Sequence, residues 1–140
     1  MTSDAVATAA MIILIFPMLF FLLSSPAFLL VKLDIPQVTQ LLRGLFRSYF
    51  FMVGIVGVVG AVAFALAGRP VTALGVGAVA AFAIWARGWF LERMDAELAA
   101  RDAGDAGAVR RLRQLHWGGM VSNAVQLAAI IGCIPYVITA

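Results

Sequence analysis

Apolar residues in this chain gather into four long runs, separated by short polar breaks rich in proline, glycine and charge. The runs cover about residues 8–31, 49–67, 71–91 and 115–137. Each comes close to or exceeds the roughly 20 residues that a helix needs to cross about 30 Å of hydrocarbon. The pattern predicts an all-α integral membrane protein: a four-helix up-down transmembrane bundle forming a single domain over residues 1–140. Residues 1–10 carry no Lys or Arg, and the apolar run that follows is too long for a signal core, so the first run is read as a retained span.

The breaks between runs carry their own information. Pro17 and Pro26 interrupt the first run and predict kinks, with the Ser24 and Ser25 hydroxyls as local partners for freed backbone groups. Lys32–Pro36 is the first connection, with Asp34 and Pro36 suited to a helix start. Beyond it Leu41, Leu42, Leu45 and Phe46 alternate with Gln40, Arg43 and Arg47, an amphipathic segment expected at headgroup level. Tyr49, Phe50 and Phe51 mark the entry of the second span. In that span Gly54, Gly57 and Gly60, with Ala61, form a small-residue face, and Ala73, Gly77 and Ala81 repeat the motif in the third. Such faces let helices approach closely in lipid, here within one bundle. Gly68-Arg69-Pro70 is a turn that starts the third helix.

The stretch from Glu92 to Asp102 is rich in helix formers, so helix 3 is expected to continue beyond the membrane, with Glu97 and Arg101 spaced for an i,i+4 ion pair. Helix 4 should likewise begin before its span, capped by Asp105. Charge placement orients the bundle. Lys32, Arg43, Arg47, Arg87, Arg93, Arg101, Arg110, Arg111 and Arg113 flank one side, and Arg69 alone the other. By the positive-inside rule both termini face away from the cytoplasm, and the extensions of helices 3 and 4 are cytoplasmic.

Composition narrows the function classes. With 64% apolar and 12% charged residues, far below the roughly 25% charge of a soluble domain, the net charge of +3 belongs to membrane flanks rather than to a nucleic-acid surface. The one cysteine, Cys133, excludes an internal disulfide and a multi-cysteine metal site. None of the seven acids falls in the middle of a span, which argues against a carboxylate-dependent small multidrug antiporter and weakens transport of a small solute generally.

The richest chemistry lies on helix 4. His116, Gly119, Asn123 and Gln126 recur at steps of three, four and three and share one helical face. A polar stripe on a membrane helix points away from lipid. His116 as an interfacial residue bonded to a neighbouring helix is favoured over His116 as a haem ligand, since one histidine makes no bis-His site within the chain and zinc needs three or four ligands. Arg43, Arg47, Arg110, Arg111 and Arg113 form a cationic group suited to lipid headgroups. These residues point to a non-enzymatic protein that binds a partner protein, a second copy or lipid through the stripe. The polar core is expected to hold Arg87, Glu92, Arg113, His116 and Asn123. A haem- or quinone-linked oxidoreductase using His116 is the alternative, and solute transport the third.

Several of these motifs together resemble bacterial members of the transmembrane-protein-205-like family, a four-span domain of unknown function. They are Ser25-Pro26-Ala27-Phe28-Leu29-Leu30, Leu45-Phe46-Arg47-Ser48-Tyr49-Phe50, Ala86-Arg87-Gly88-Trp89-Phe90-Leu91-Glu92, and Leu112 to Met120 with Asn123. In order and spacing they cover about residues 20–135. The resemblance implies the four-span fold, a bacterial inner-membrane location and a part for Arg87, Glu92, His116 and Asn123, but no established activity. The first span lacks the family's tryptophan and glycine before the Ser-Pro step. More distantly the layout looks like copper-resistance membrane domains and haem-dependent protoporphyrinogen oxidases, whose first-span histidines have no counterpart here.

Overall fold

A computed structural model describes residues 2–138; residues 1, 139 and 140 of the expected domain lie outside the described residues. Helix α1 spans Ser3–Ser24, and Thr2 caps it by accepting the Ala5 N–H at 3.3 Å. Pro26 has no N–H to return to the preceding turn, so the α pattern stops short and the chain tightens into a 3-10 helix over Ser25–Leu29. The first apolar run is therefore two elements rather than one kinked helix. Ser24 supplies the expected hydroxyl bond, donating to the Phe20 carbonyl at 2.6 Å, whereas the buried Ser25 hydroxyl has no hydrogen-bond partner among the described residues.

Helix α2 runs unbroken over Pro36–Leu66, α3 over Pro70–Asp102 and α4 over Ala108–Ile138. Pro36 and Pro70 sit in the first turns of α2 and α3, where a missing N–H costs nothing. Two glycines with positive φ, Gly68 at 72° and Gly104 at 92°, end α2 and α3. Each lets the next N–H fold back onto the helix: Arg69 donates to the Phe64 carbonyl and Asp105 to that of Ala100, both at 2.9 Å. The amphipathic segment before the second span is continuous with α2. Its Leu42 and Phe46 are fully buried among the other helices, so its apolar stripe joins the bundle core.

The four helices close into a ring in which each packs on its sequence neighbours and α4 returns to α1. The α2/α3 seam is set by small residues: a Cβ on Gly57 would lie 2.8 Å from the Ala80 Cβ, and one on Gly60 would meet Ala10 and Val76. These small faces serve contacts within the chain, as expected. Outside, the usual arrangement is reversed. Phe16, Phe20, Leu23, Leu74, Ile84 and Val125 all face outward. All four helices are long and apolar enough to span a bilayer, and this is a small integral membrane protein.

Candidate functional site

The polar stripe on α4 faces inward and meets the backbone of the first span. Arg113 donates to the Leu29 carbonyl at 2.9 Å and to that of Val31 at 3.3 Å. His116 Nε2 lies 2.9 Å from the Ser25 carbonyl, and Asn123 Nδ2 donates to the Met18 carbonyl at 3.0 Å. A carbonyl can only accept, so the proton sits on His116 Nε2. Moving along α4 by seven residues, from His116 to Asn123, moves back along the first span by seven, from Ser25 to Met18. That is the register of two antiparallel helices zipped by side chains. The end of the 3-10 helix would otherwise leave carbonyls unpaired, and Arg113 satisfies them.

Around the zipper the packing is aromatic. The His116 ring lies between Phe28 and Phe46, with centroids 6.0 and 6.1 Å away. Phe21 lies 4.4 Å from Tyr49. Several polar atoms here are buried and have no partner among the described residues: His116 Nδ1, Asn123 Oδ1, Tyr49 Oη, Ser25 Oγ and both amide atoms of Gln126. Hydrogen bonds between membrane helices contribute on average about 0.6 kcal/mol and at most about 1.7. Asn123→Ala, which also opens a void, is expected to lower stability in detergent by about 1–2 kcal/mol, read by denaturant titration. An unchanged midpoint would show that the Met18 contact contributes nothing.

The five residues expected in the polar core do not meet. Arg113, His116 and Asn123 share the α1 side of α4. Arg87 lies on the other side of the bundle, in the α2/α3 groove, its guanidinium carbon 5.9 Å from the centre of the Phe51 ring. Glu92 is exposed and joins neither group.

Ion pairs join part of the charged end. Arg43 grips Asp95 through two bonds of 2.6 and 2.8 Å. Arg111 bridges Glu97 at 2.7 Å and Asp105 at 2.6 Å. The Arg111 guanidinium and the Gly107 N–H hold the Asp105 carboxyl below the usual carboxylate range. Asp105 accepts that N–H at 2.8 Å and so organises the turn before α4; the bond comes from a turn residue and not from a helical N–H, so it differs from the expected cap. The expected Glu97–Arg101 pair does not form. Arg101 turns inward to the Leu33 carbonyl and the buried Thr39 hydroxyl, and Glu97 turns to Arg111. Packing of α3 on two different neighbours separates these two side chains. Nothing in the sequence pattern marks Thr39 beyond its place one turn after Pro36. At the far end of the bundle Arg69 meets Asp4 at 3.3 Å.

Several hollows open on the outer surface among the described residues. One of about 450 Å³ lies between α3 and α4, with Trp85, Trp89 and Phe90 below and Arg93, Glu97 and Arg111 above. Another, about 390 Å³, lies between α2 and α3. His116 lines neither of these two. Among the described residues no three His, Cys, Asp or Glu side chains come together as metal ligands would. Comparison with family models, curated proteins and solved structures finds no match to this chain.

Proposed function

We propose that this is a non-enzymatic protein of the bacterial inner membrane, both termini outside the cytoplasm, whose function is to bind anionic lipid at its arginine-rich end. The observation that supports it is the charge balance of that end. Nine basic residues stand there against six acids, Asp34, Glu92, Asp95, Glu97, Asp102 and Asp105, on a bundle whose outer belt is apolar. The surplus positive charge lies where a spanning helix meets phosphate headgroups.

The α4 stripe has a different task in this reading. Its Arg113, His116 and Asn123 side chains are engaged with carbonyls of the first apolar run, so it positions the first span, and the binding surface lies on the outside. The haem alternative gains no support from the geometry, because His116 Nε2, a coordinating nitrogen, is engaged with Ser25 and the ring is enclosed by phenylalanines. A Soret band abolished by His116→Ala would reverse that preference.

The test is native mass spectrometry of protein released from nanodiscs containing phosphatidylglycerol and phosphatidylethanolamine in equal amounts. Phosphatidylglycerol is expected to be enriched among the retained lipids, and the enrichment should shrink as salt rises. Retention in proportion to the bulk mixture would overturn lipid binding as the function.

A further inference from the structure

We infer that the groove between α2 and α3, ending at Arg47 and Arg87, holds one phosphate-bearing diacyl lipid, its phosphate between the two guanidinium groups and an acyl chain along the groove. This rests on the lipid-binding reading above and places it at a defined site.

The groove has the shape of a lipid site. Its apolar part, about 390 Å³, is walled by Ile55, Val58 and Val59 on α2 and by Ile84 on α3, with Gly54 as a low floor. Ile84 already closes on that floor: a Cβ on Gly54 would lie 3.2 Å from its Cγ1. At the top a second hollow of about 140 Å³ is formed by Arg47, Ser48, Phe51 and Arg87. Phe51 and Arg87 belong to both, so polar cup and apolar groove are continuous.

The charges in the cup lack the partners that several other arginines have, a lack shared among the described residues by Arg93 and Arg110; what marks the cup is that two such arginines line one hollow. Arg43, Arg101 and Arg111 have carboxylates, and Arg113 has two carbonyls. Among the described residues neither Arg47 nor Arg87 makes an ion pair, and Arg87 Nε is buried without an acceptor. An unpaired guanidinium N–H shielded from water is costly, and a phosphate oxygen would remove that cost through a charge-assisted bond. Phe51, stacked near the Arg87 guanidinium, holds it at the mouth of the groove.

The depth also fits. Arg87 lies about 26 Å along α3 from Pro70, at about 1.5 Å per residue. With the α2/α3 turn at one membrane face, that places the cup near the opposite boundary of a hydrocarbon core about 30 Å thick. Free inorganic phosphate would fill the cup and leave the groove below it empty. The apolar groove is why the occupant is a lipid.

The experiment titrates dioleoyl-phosphatidylglycerol onto detergent-solubilised full-length protein, followed by native mass spectrometry. The variants are Arg47→Gln, Arg87→Gln, Val58→Trp and, as a control outside the cup, Arg110→Gln. Arg47 is exposed, so its variant leaves the fold intact even if Arg87→Gln does not. Each cup variant is expected to weaken binding of the first lipid about tenfold, Val58→Trp to weaken it comparably by filling the groove, and Arg110→Gln to change it little. Inorganic phosphate at the same concentration should not displace the lipid. Equal losses from Arg47→Gln and Arg110→Gln would show diffuse charge attraction and overturn this site while leaving lipid binding standing. So would an unaffected Val58→Trp, or displacement by free phosphate. Wild-type protein with no preference for phosphatidylglycerol over phosphatidylethanolamine would instead sink the wider reading.

Discussion

Phe46→Ala is expected to destabilise the bundle by about 3–5 kcal/mol, the usual cost of removing a large aromatic side chain from a close-packed core. Phe46 is fully buried, and its ring has aromatic neighbours on all four helices. Its ring centre lies 5.2 Å from Phe21 of α1, 6.0 Å from Phe50 of its own helix, 5.4 Å from Phe90 of α3 and 6.1 Å from His116 of α4. The ring also occupies the space that a side chain at Gly119 would need: a Cβ there would overlap its edge. Gly119→Leu alone should therefore cost about 1–3 kcal/mol through overpacking. Combined with Phe46→Ala, the leucine would enter the vacated space. The double variant is expected to be more stable than the sum of the two losses predicts, by about 0.5–3 kcal/mol. Denaturant titration of the three proteins in one detergent measures the cycle. Simple additivity would show that Phe46 and Gly119 do not share that space.

Gly57→Leu is expected to have the next largest effect, about 1–3 kcal/mol, at the α2/α3 seam. A Cβ on Gly57 would approach the Ala80 Cβ to 2.8 Å and the Ala80 Cα to 3.3 Å, and Ala80 is itself buried. No flexible side-chain end is available to yield, so relief requires α3 to move away from α2. Gly75 and Gly88 provide the contrast, since a Cβ at either meets nothing within 4 Å. Gly75→Ala or Gly88→Ala should be neutral or slightly stabilising, because alanine favours a helix over glycine by about 1 kcal/mol. Thermal unfolding of the purified variants in one detergent would rank them. A Gly57→Leu protein as stable as Gly88→Ala would refute the close α2/α3 approach.

Much of this architecture is written in local chemistry that needs no neighbour to be read. Four apolar runs of spanning length require four helices, because in lipid each backbone N–H and C=O must be satisfied within its own segment. Pro36 and Pro70, each following a polar break, are placed to begin helices, and the helix formers after Glu92 extend α3. The three- and four-residue spacing of His116, Gly119 and Asn123 placed them on one face, and the cost of exposing polar groups to hydrocarbon turned that face inward.

The tertiary structure decided which partners those faces found. The acceptors for His116 and Asn123 are the carbonyls of Ser25 and Met18, and every residue carries a carbonyl, so no side-chain pattern marks them. Glu97 and Arg101 were spaced for each other, yet a surface pair at that spacing contributes only about 0.2–0.5 kcal/mol. Packing against α2 and α4 easily redirects them to Thr39 and Arg111. Arg47 and Arg87 stand forty positions apart in the sequence, and nothing along the chain relates them. They come to one cup because Gly57 seats against Ala80, which sets the antiparallel register of α2 and α3 and with it the residues that face each other one helical stretch away.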